Sequence, residues 1–227
     1  MSKQIKDFFN QWNIYKKVIK HNYMFHIEIF QKLQDFLNQH QHQNLLDLGC
    51  GDAYHIARIL KNSHLTNYYG IDLSEIALQE AQQNFATINC DKQFIQTNLI
   101  DFIATQQAKF DIIIAGYSIH HLTLTEKDNF FAQAAIALKP GGSLLIYDPV
   151  RREDETRSDY LDRWWKYCLN NWKAITSEEF SLIKDHIYNN DYPETFAIFN
   201  KIAIKQQYKT VESLYKDDFY QLYRFSL

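Results

Sequence analysis

Cysteine, proline and glycine are all scarce in this chain of 227 residues, at three, three and six. Cys50, Cys90 and Cys168 are odd in number and widely spaced, with no CxxC pair, which argues against a disulfide framework or a cysteine-held zinc. So little glycine and proline excludes a collagen-like or low-complexity chain. Long apolar runs are missing too: nothing approaches the roughly 20 apolar residues of a membrane span. The opening MSKQIKDFFNQW lacks the apolar core of a signal peptide, so a soluble, cytoplasmic protein is expected. Nor does one sign of charge dominate. There are 24 Lys+Arg against 27 Asp+Glu, and residues 151–227 carry twelve basic against thirteen acidic side chains. No segment is basic enough to track a phosphate backbone alone, which makes nucleic acid an unexpected partner.

What the chain does have is apolar and aromatic material, 46% and 15% of its residues. The length fits one ordinary domain, or one domain with an appended subdomain, burying roughly 70–75% of the surface its unfolded form would expose. All six glycines fall between Gly49 and Gly142, and three of the four tryptophans, Trp164, Trp165 and Trp172, follow that stretch. This distribution predicts a turn-rich α/β core between two glycine-free, mainly helical flanks.

Ile5, Phe8, Phe9 and Trp12 share one helical face, and His26, Ile29, Phe30, Leu33 and Leu37 form a second amphipathic pattern. The polar stretch 38–44, with His40 and His42, reads as a solvated loop. From Leu45 strands and helices alternate. Strands are expected at 45–48, 68–72, 93–97, 110–115 and 143–148, and helices at 53–61, after Ser74, and from a Thr125/Asp128 capping box to Leu138. Such alternation implies a parallel, doubly wound sheet. Beyond Arg151 the periodicity turns helical, with a stripe of Leu161, Trp164, Trp165, Cys168 and Trp172 and a capping box at Thr176 and Glu179. Pro193 is expected in the first turn of a helix running to about Lys205. Residues 208–215 and 219–225 read as a closing hairpin.

The segment with chemical content is Leu45-Leu46-Asp47-Leu48-Gly49-Cys50-Gly51-Asp52-Ala53, a buried strand, a Gly-containing turn and a helix start. Gly49 and Gly51 allow close backbone approach, and the helix start offers N–H groups to an anion. The dinucleotide fingerprint fails because Tyr54 stands where its third glycine would fall, and no Walker lysine is present. Asp72, ending the second strand, sits where a carboxylate accepts both hydroxyls of a ribose. Two glycines and that aspartate suggest an adenosine-containing ligand without a pyrophosphate.

At this point the chain resembles the class I S-adenosylmethionine-dependent methyltransferases over residues 44–148. Asp47 to Ala53 is similar to the family's acidic glycine loop, which holds the methionine part of the cofactor and here includes Gly49, Cys50 and Gly51. Gly70-Ile71-Asp72-Leu73-Ser74 resembles its second motif, with Asp72 toward ribose and Leu73 packing on adenine. Thr97-Asn98-Leu99 falls where the family contacts the adenine amine. Phe110 to Ala115, His120-His121-Leu122 and Leu138 to Gly142 follow in the family's order. The resemblance implies S-adenosylmethionine as cofactor, held by Asp47, Gly49, Cys50, Gly51, Asp72, Leu73, Asn98, Leu99 and Ala115. Two departures stand out. Ala53 replaces a third glycine, at little cost if its φ is negative, and Asn98 replaces the usual aspartate while keeping a carbonyl acceptor.

The expected architecture is α/β: a doubly wound, seven-stranded, mostly parallel sheet with the last strand antiparallel. Residues 1–43 are expected as a helical lid carrying Tyr15, Tyr23 and His26. Residues 44–150 would form the cofactor-binding core, 151–205 a substrate-side helical insertion, and 206–227 the hairpin completing the sheet. His120, His121 and Asp148 follow strands on the edge where ligands bind, beside Tyr117, and are the candidate acid–base residues. Arg151, Arg152 and Arg157 could clamp an acidic substrate, though neighbouring acids make a solvated face the plainer reading. No metal is expected. The resulting expectation is methyl transfer to a small-molecule oxygen or nitrogen. The alternatives are an RNA-modifying methyl or carboxymethyl transferase, or a non-catalytic protein binding S-adenosylmethionine or its demethylated product.

Overall fold

The computed structural model describes residues 12–39 and 43–227; the pattern at Ile5, Phe8 and Phe9, and His40 and His42, lie outside the described residues. Two helices come first, α1 (Trp12–Lys20) and α2 (His26–Gln39). The alternating core follows: β1 (Asn44–Leu48), α3 (Tyr54–Leu60), β2 (Asn67–Asp72), α4 (Glu75–Asn84), β3 (Asp91–Gln96), α5 (Leu99–Ile103), β4 (Phe110–Gly116), a 3₁₀ turn (Ile119–His121), α6 (Leu124–Ala137) and β5 (Leu138–Arg151). Then come α7 (Arg157–Asn171), α8 (Ser177–Asn190), β6 (Glu194–Thr195), α9 (Phe196–Lys205), β7 (Thr210–Lys216) and β8 (Tyr220–Ser226).

Seven strands lie in the order β3-β2-β1-β4-β5-β8-β7, and the two-residue β6 adds an eighth beside β5. The neighbours from β3 to β5 pair in parallel, and β8 runs antiparallel to both β5 and β7. The strands are apolar on both faces because helices cover both. Alternate residues therefore enter different cores. Leu45, Ile112, Ile114, Leu145 and Tyr147 pack with α1, α2, α3, α7 and α8. Leu46, Leu48, Ile113, Ala115, Leu144 and Ile146 pack with α5, α6 and α9 on the opposite face. The tryptophan stripe belongs to the first core. Trp164 donates its indole N–H to the Tyr220 hydroxyl at 2.6 Å, and Trp172 stacks on Tyr23 with ring centroids 5.2 Å apart.

Local chemistry sets the element ends. Ser74 caps α4, and a capping box at Thr176 and Glu179 opens α8, both as the sequence indicates. Three expectations shift. The box opening α6 is Thr123 with Glu126, not Thr125 with Asp128, because the 3₁₀ turn already ends at Leu122; Asp128 instead receives hydrogen bonds from Lys205 and Gln206. Pro193 does not begin α9. Glu194 and Thr195 first pair with Val150 and Arg151, and Thr195 supplies the cap. Ala53 does not have negative φ: it lies at φ 52°, ψ 19°, left-handed, with α3 starting one residue later.

A left-handed alanine costs roughly 1–2 kcal/mol from the crowding of its Cβ. Glycine loses more backbone entropy on folding, which takes back part of the relief. Ala53→Gly is therefore expected to raise stability in urea unfolding by about 0.5–1 kcal/mol. A stability equal to or below that of the parent chain would contradict the left-handed backbone there.

Candidate active site

Because β1, β2, β4 and β5 are parallel, their carboxyl ends share one edge of the sheet, and the order reverses between β1 and β4. Ligands bind at such a switch point in open α/β sheets. A cavity of about 880 Å³, counting its open mouth, lies there. Asp47, Gly49, Cys50, Gly51, Asp72, Leu73 and Leu99 all line it, joined from the N-terminal helices by Trp12, Tyr15 and His26.

The turn after β1 depends on its glycines. Gly49 and Gly51 have φ of +77° and +54°, and a Cβ on Gly49 would come 2.9 Å from Cβ of Ser118. Asp72 fixes the same turn, accepting from the Gly51 N–H at 2.9 Å and the Ser74 N–H at 2.8 Å. Asp52 accepts from the Tyr54 N–H at 3.1 Å. The N–H groups expected to be offered to an anion are thus partly taken by the chain's own carboxylates. A carboxylate has about four lone-pair positions, so Asp72 keeps acceptor capacity for hydroxyls.

Burial raises the pKa of Asp47, Asp52 and Asp72 alike. Asp47 is pushed to about 7, against a hydrogen bond from the Tyr68 hydroxyl at 2.7 Å that favours its ionised form. Three crowded carboxylates make this cavity a host for positive charge. S-adenosylmethionine carries an ammonium and a sulfonium, so the donor set fits that cofactor.

Two expected contacts are placed elsewhere. Ala115 belongs to the opposite core, because its side chain alternates away from the cavity; Gly116 and Tyr117 line the wall instead. Asn98 caps α5 by accepting from the Ile100 N–H at 2.8 Å, and its neighbours Thr97 and Leu99 reach the cavity. Gly116 was not singled out in the sequence, yet a Cβ there would fall 1.8 Å from the Tyr147 ring. A glycine closing an apolar strand was the available signal. Tyr117 follows at φ 47°, a strained backbone for a bulky residue, and its hydroxyl donates to the Met24 carbonyl.

A second cavity, about 750 Å³, adjoins the first, and Tyr15, Tyr117 and His121 line both. Its other walls include Ile14, Val18, Tyr160, Trp164 and Trp172 from both helical flanks, and one side is polar. There His120 Nδ1 lies 2.7 Å from Asp148 Oδ1, and Asp148 is only 1% exposed. Asp191, at the C-terminal cap of α8, lies 3.8 Å from His120 Nε2, 3.2 Å from His121 Nδ1 and 3.6 Å from His186 Nε2. Burial alone would lower the pKa of His120, but the charges of Asp148 and Asp191 outweigh it and raise it. His121 and His186 are lowered, chiefly by burial, His186 to about 4. Asp191 is held low by the three histidines, against its burial.

The arginines after β5 serve the scaffold. Arg151 pairs with Glu194 at 3.2 Å and donates to the Pro193 carbonyl; Arg152 pairs with Asp218; Arg157 donates to the carbonyls of Asp191 and Tyr188.

Comparison with known proteins adds the family context. A family profile described as "Methyltransferase domain" matches residues 45–142. The chain is 25% identical over 170 residues to phosphoethanolamine N-methyltransferase from Plasmodium falciparum, covering 74% of this chain and 62% of that protein. It is 24% identical over 135 residues to carboxy-S-adenosyl-L-methionine synthase 1 from Yersinia pseudotuberculosis, covering 58% and 56%. The chain thus spans about six-tenths of the length of these curated relatives. Its fold is similar to the crystal structure of magnesium protoporphyrin IX methyltransferase from Synechocystis with bound SAH, at a TM-score of 0.68 and 14% identity, covering 98% of this chain and 97% of that one.

Charge-assisted hydrogen bonds of the kind Asp72 can offer contribute on the order of 1.5–3 kcal/mol. Asp72→Ala is therefore expected to weaken S-adenosylmethionine binding roughly 10- to 100-fold in calorimetry; a loss below about threefold means the ribose is held elsewhere. For Asp47 the sign is fixed by its raised pKa. The folded, ligand-free chain holds a proton there that the unfolded chain gives up, so Asp47 costs increasing stability as pH rises from about 4 through 7. Asp47→Asn removes that cost. It should raise the thermal midpoint of the ligand-free chain more at pH 8 than at pH 5, and an equal shift at both would contradict the protonated carboxyl.

Proposed function

We propose that this chain, which belongs through residues 45–142 to the class I S-adenosylmethionine-dependent methyltransferases, transfers the cofactor's methyl group to a small molecule held in the second cavity. One observation carries the reading: two adjoining cavities share Tyr15, Tyr117 and His121 as a common wall, and the second is closed in by aromatic side chains. An apolar pocket with a few convergent polar groups suits a metabolite. A nucleic acid would call for a basic groove, and the nearby arginines already serve backbone carbonyls and acids.

Bound S-adenosylmethionine supplies an electrophilic methyl group on a positively charged sulfur. The chain's own work is alignment, exclusion of water and the fate of a proton. Asp47, Asp52 and Asp72 would balance the cofactor's positive charge. Tyr117, held by its hydrogen bond to Met24, would set the passage between the cavities. The acceptor's polar atom would sit against His120 and His121, with Asp148 fixing the His120 ring through Nδ1, so that this wall takes up the charge left as the acceptor loses its proton. The phosphoethanolamine of the Plasmodium relative is disfavoured as an acceptor, because among the described residues no lysine or arginine lines this cavity and its histidines already face the carboxylates of Asp148 and Asp191.

The test is turnover with methyl-labelled S-adenosylmethionine against fractionated metabolites and, separately, total RNA. Label is expected in a small-molecule fraction. Label in RNA would overturn the acceptor class, and cofactor binding without label in either would mark a non-catalytic binding protein. Once an acceptor is known, Asp148→Ala should lower kcat by about 10²–10⁴-fold while leaving cofactor affinity within about twofold. An unchanged kcat would remove the histidine wall from the reaction.

A further inference from the structure

We infer that His120, His121 and Asp191 form a binding site for one divalent first-row transition ion, such as zinc, on the wall of the second cavity. Two chain segments meet there: the 3₁₀ turn after β4 brings the two histidines, and the end of α8 brings Asp191. One ligand atom from each of the three lies within 4.8 Å of the others, and all three residues are buried. Ligands about 2.0–2.2 Å from a tetrahedral zinc stand roughly 3.3–3.6 Å apart. The measured separations of 3.2 Å (His121 Nδ1 to Asp191 Oδ1) and 3.8 Å (His120 Nε2 to Asp191 Oδ2) bracket that range.

The surroundings are those of a metal site. Ligating histidines are oriented by a carboxylate on the other ring nitrogen, and Asp148 stands on His120 Nδ1 at 2.7 Å while Nε2 faces Asp191. With Nδ1 against Asp148, Nε2 faces a second carboxylate, so the ring stands between two negative groups that a bound cation or a proton on the ring balances. Among the described residues, Asp148 Oδ2 is buried and receives no hydrogen bond. Asp191 is held from outside the cluster. Arg157 donates to its carbonyl at 2.6 Å, the Tyr192 N–H donates to the His120 carbonyl at 2.6 Å, and the buried Lys127 donates to the carbonyls of Leu122 and Tyr192. His186 Nε2, 3.6 Å from Asp191 Oδ1, stands as a third nitrogen beside the cluster.

Imidazole and carboxylate donors suit zinc, iron(II) or cobalt(II) better than magnesium or calcium. No metal is expected from the sequence; Asp191 lies about seventy residues from the histidine pair, and no short spacing motif joins them. The role of the site rests on the acceptor cavity proposed above. A remaining coordination position would face that cavity and take the acceptor's heteroatom, which the ion would make acidic enough to give up its proton to water before methyl transfer.

The test uses the full chain, stripped with a chelator, dialysed and titrated with Zn²⁺ or Co²⁺ alone, read by calorimetry, by metal content and by the visible bands of Co²⁺. One equivalent per chain is expected, with absorption diagnostic of nitrogen and oxygen ligands. His121→Ala and Asp191→Asn should each weaken binding by roughly 100-fold or more, and Asp148→Asn by about 10-fold through loss of ring orientation. Circular dichroism and thermal unfolding, measured on the same samples, show that the variants are folded. No stoichiometric binding by the parent chain, or undiminished binding in both ligand variants, overturns the site. Either result leaves methyl transfer to a metabolite standing if label transfer persists. Intact metal binding without transfer instead counts against the proposed function alone.

Discussion

In a parallel sheet every strand points the same way, and that single constraint gathers the chemistry of this chain. The turn after Leu48, the Asp72 carboxylate, the Gly116–Tyr117 kink and Asp148 lie far apart in sequence, yet all end on one edge because β1, β2, β4 and β5 are parallel neighbours. The crossover helices needed to return each strand cover both faces, so the strand interiors are apolar throughout and the polar residues concentrate where the strands stop. Residues after β5 then pack back over that edge. Lys17 on α1 binds Glu179 on α8 at 2.6 Å, and Trp12 donates to Glu80 on α4 at 2.9 Å, tying the N-terminal helices across it.

Charge divides the edge into two regions. Around the β1 turn, Asp72 adds to the cost of ionising Asp47, and Asp52 to that of Asp72, beyond their burial, and the group favours a cationic ligand. Beyond Tyr117, Asp148 faces His120, and Asp191 faces His120, His121 and His186, so each carboxylate there is matched with imidazole. A reaction in which a cationic cofactor loses its charge while an acceptor loses a proton uses both kinds of region side by side. Tyr117 and His121, which face both cavities, are where the two regions communicate.

Much of the fold could be read from the sequence, because short continuous apolar strands, the glycine turn and the Ser74 and Thr176 caps are local signals. The residues at the first cavity from Asp47 to Leu73 share that legibility, since strand ends and turns are set within a few residues. Three things were not legible for physical reasons. Ala53 takes a left-handed backbone that its residue type disfavours, imposed by the turn that Asp72 and Gly51 build. Ala115 and Gly116 exchange expected roles because a one-residue shift at a strand end reverses the facing side. Asp191 and His186 arrive from a helix about seventy residues on, through tertiary packing that no spacing pattern encodes.

The central claim is that the cofactor's reactive sulfur meets the acceptor cavity at the wall shared by Tyr117 and His121. A crystal structure of the chain with S-adenosylhomocysteine bound tests it most directly. The expected result has the ribose hydroxyls within hydrogen-bond distance of Asp72 and the sulfur turned toward Tyr117 and His121, with the aromatic cavity open beyond it. A ligand whose ribose leaves Asp72 untouched, or whose sulfur faces away from that wall, would contradict it.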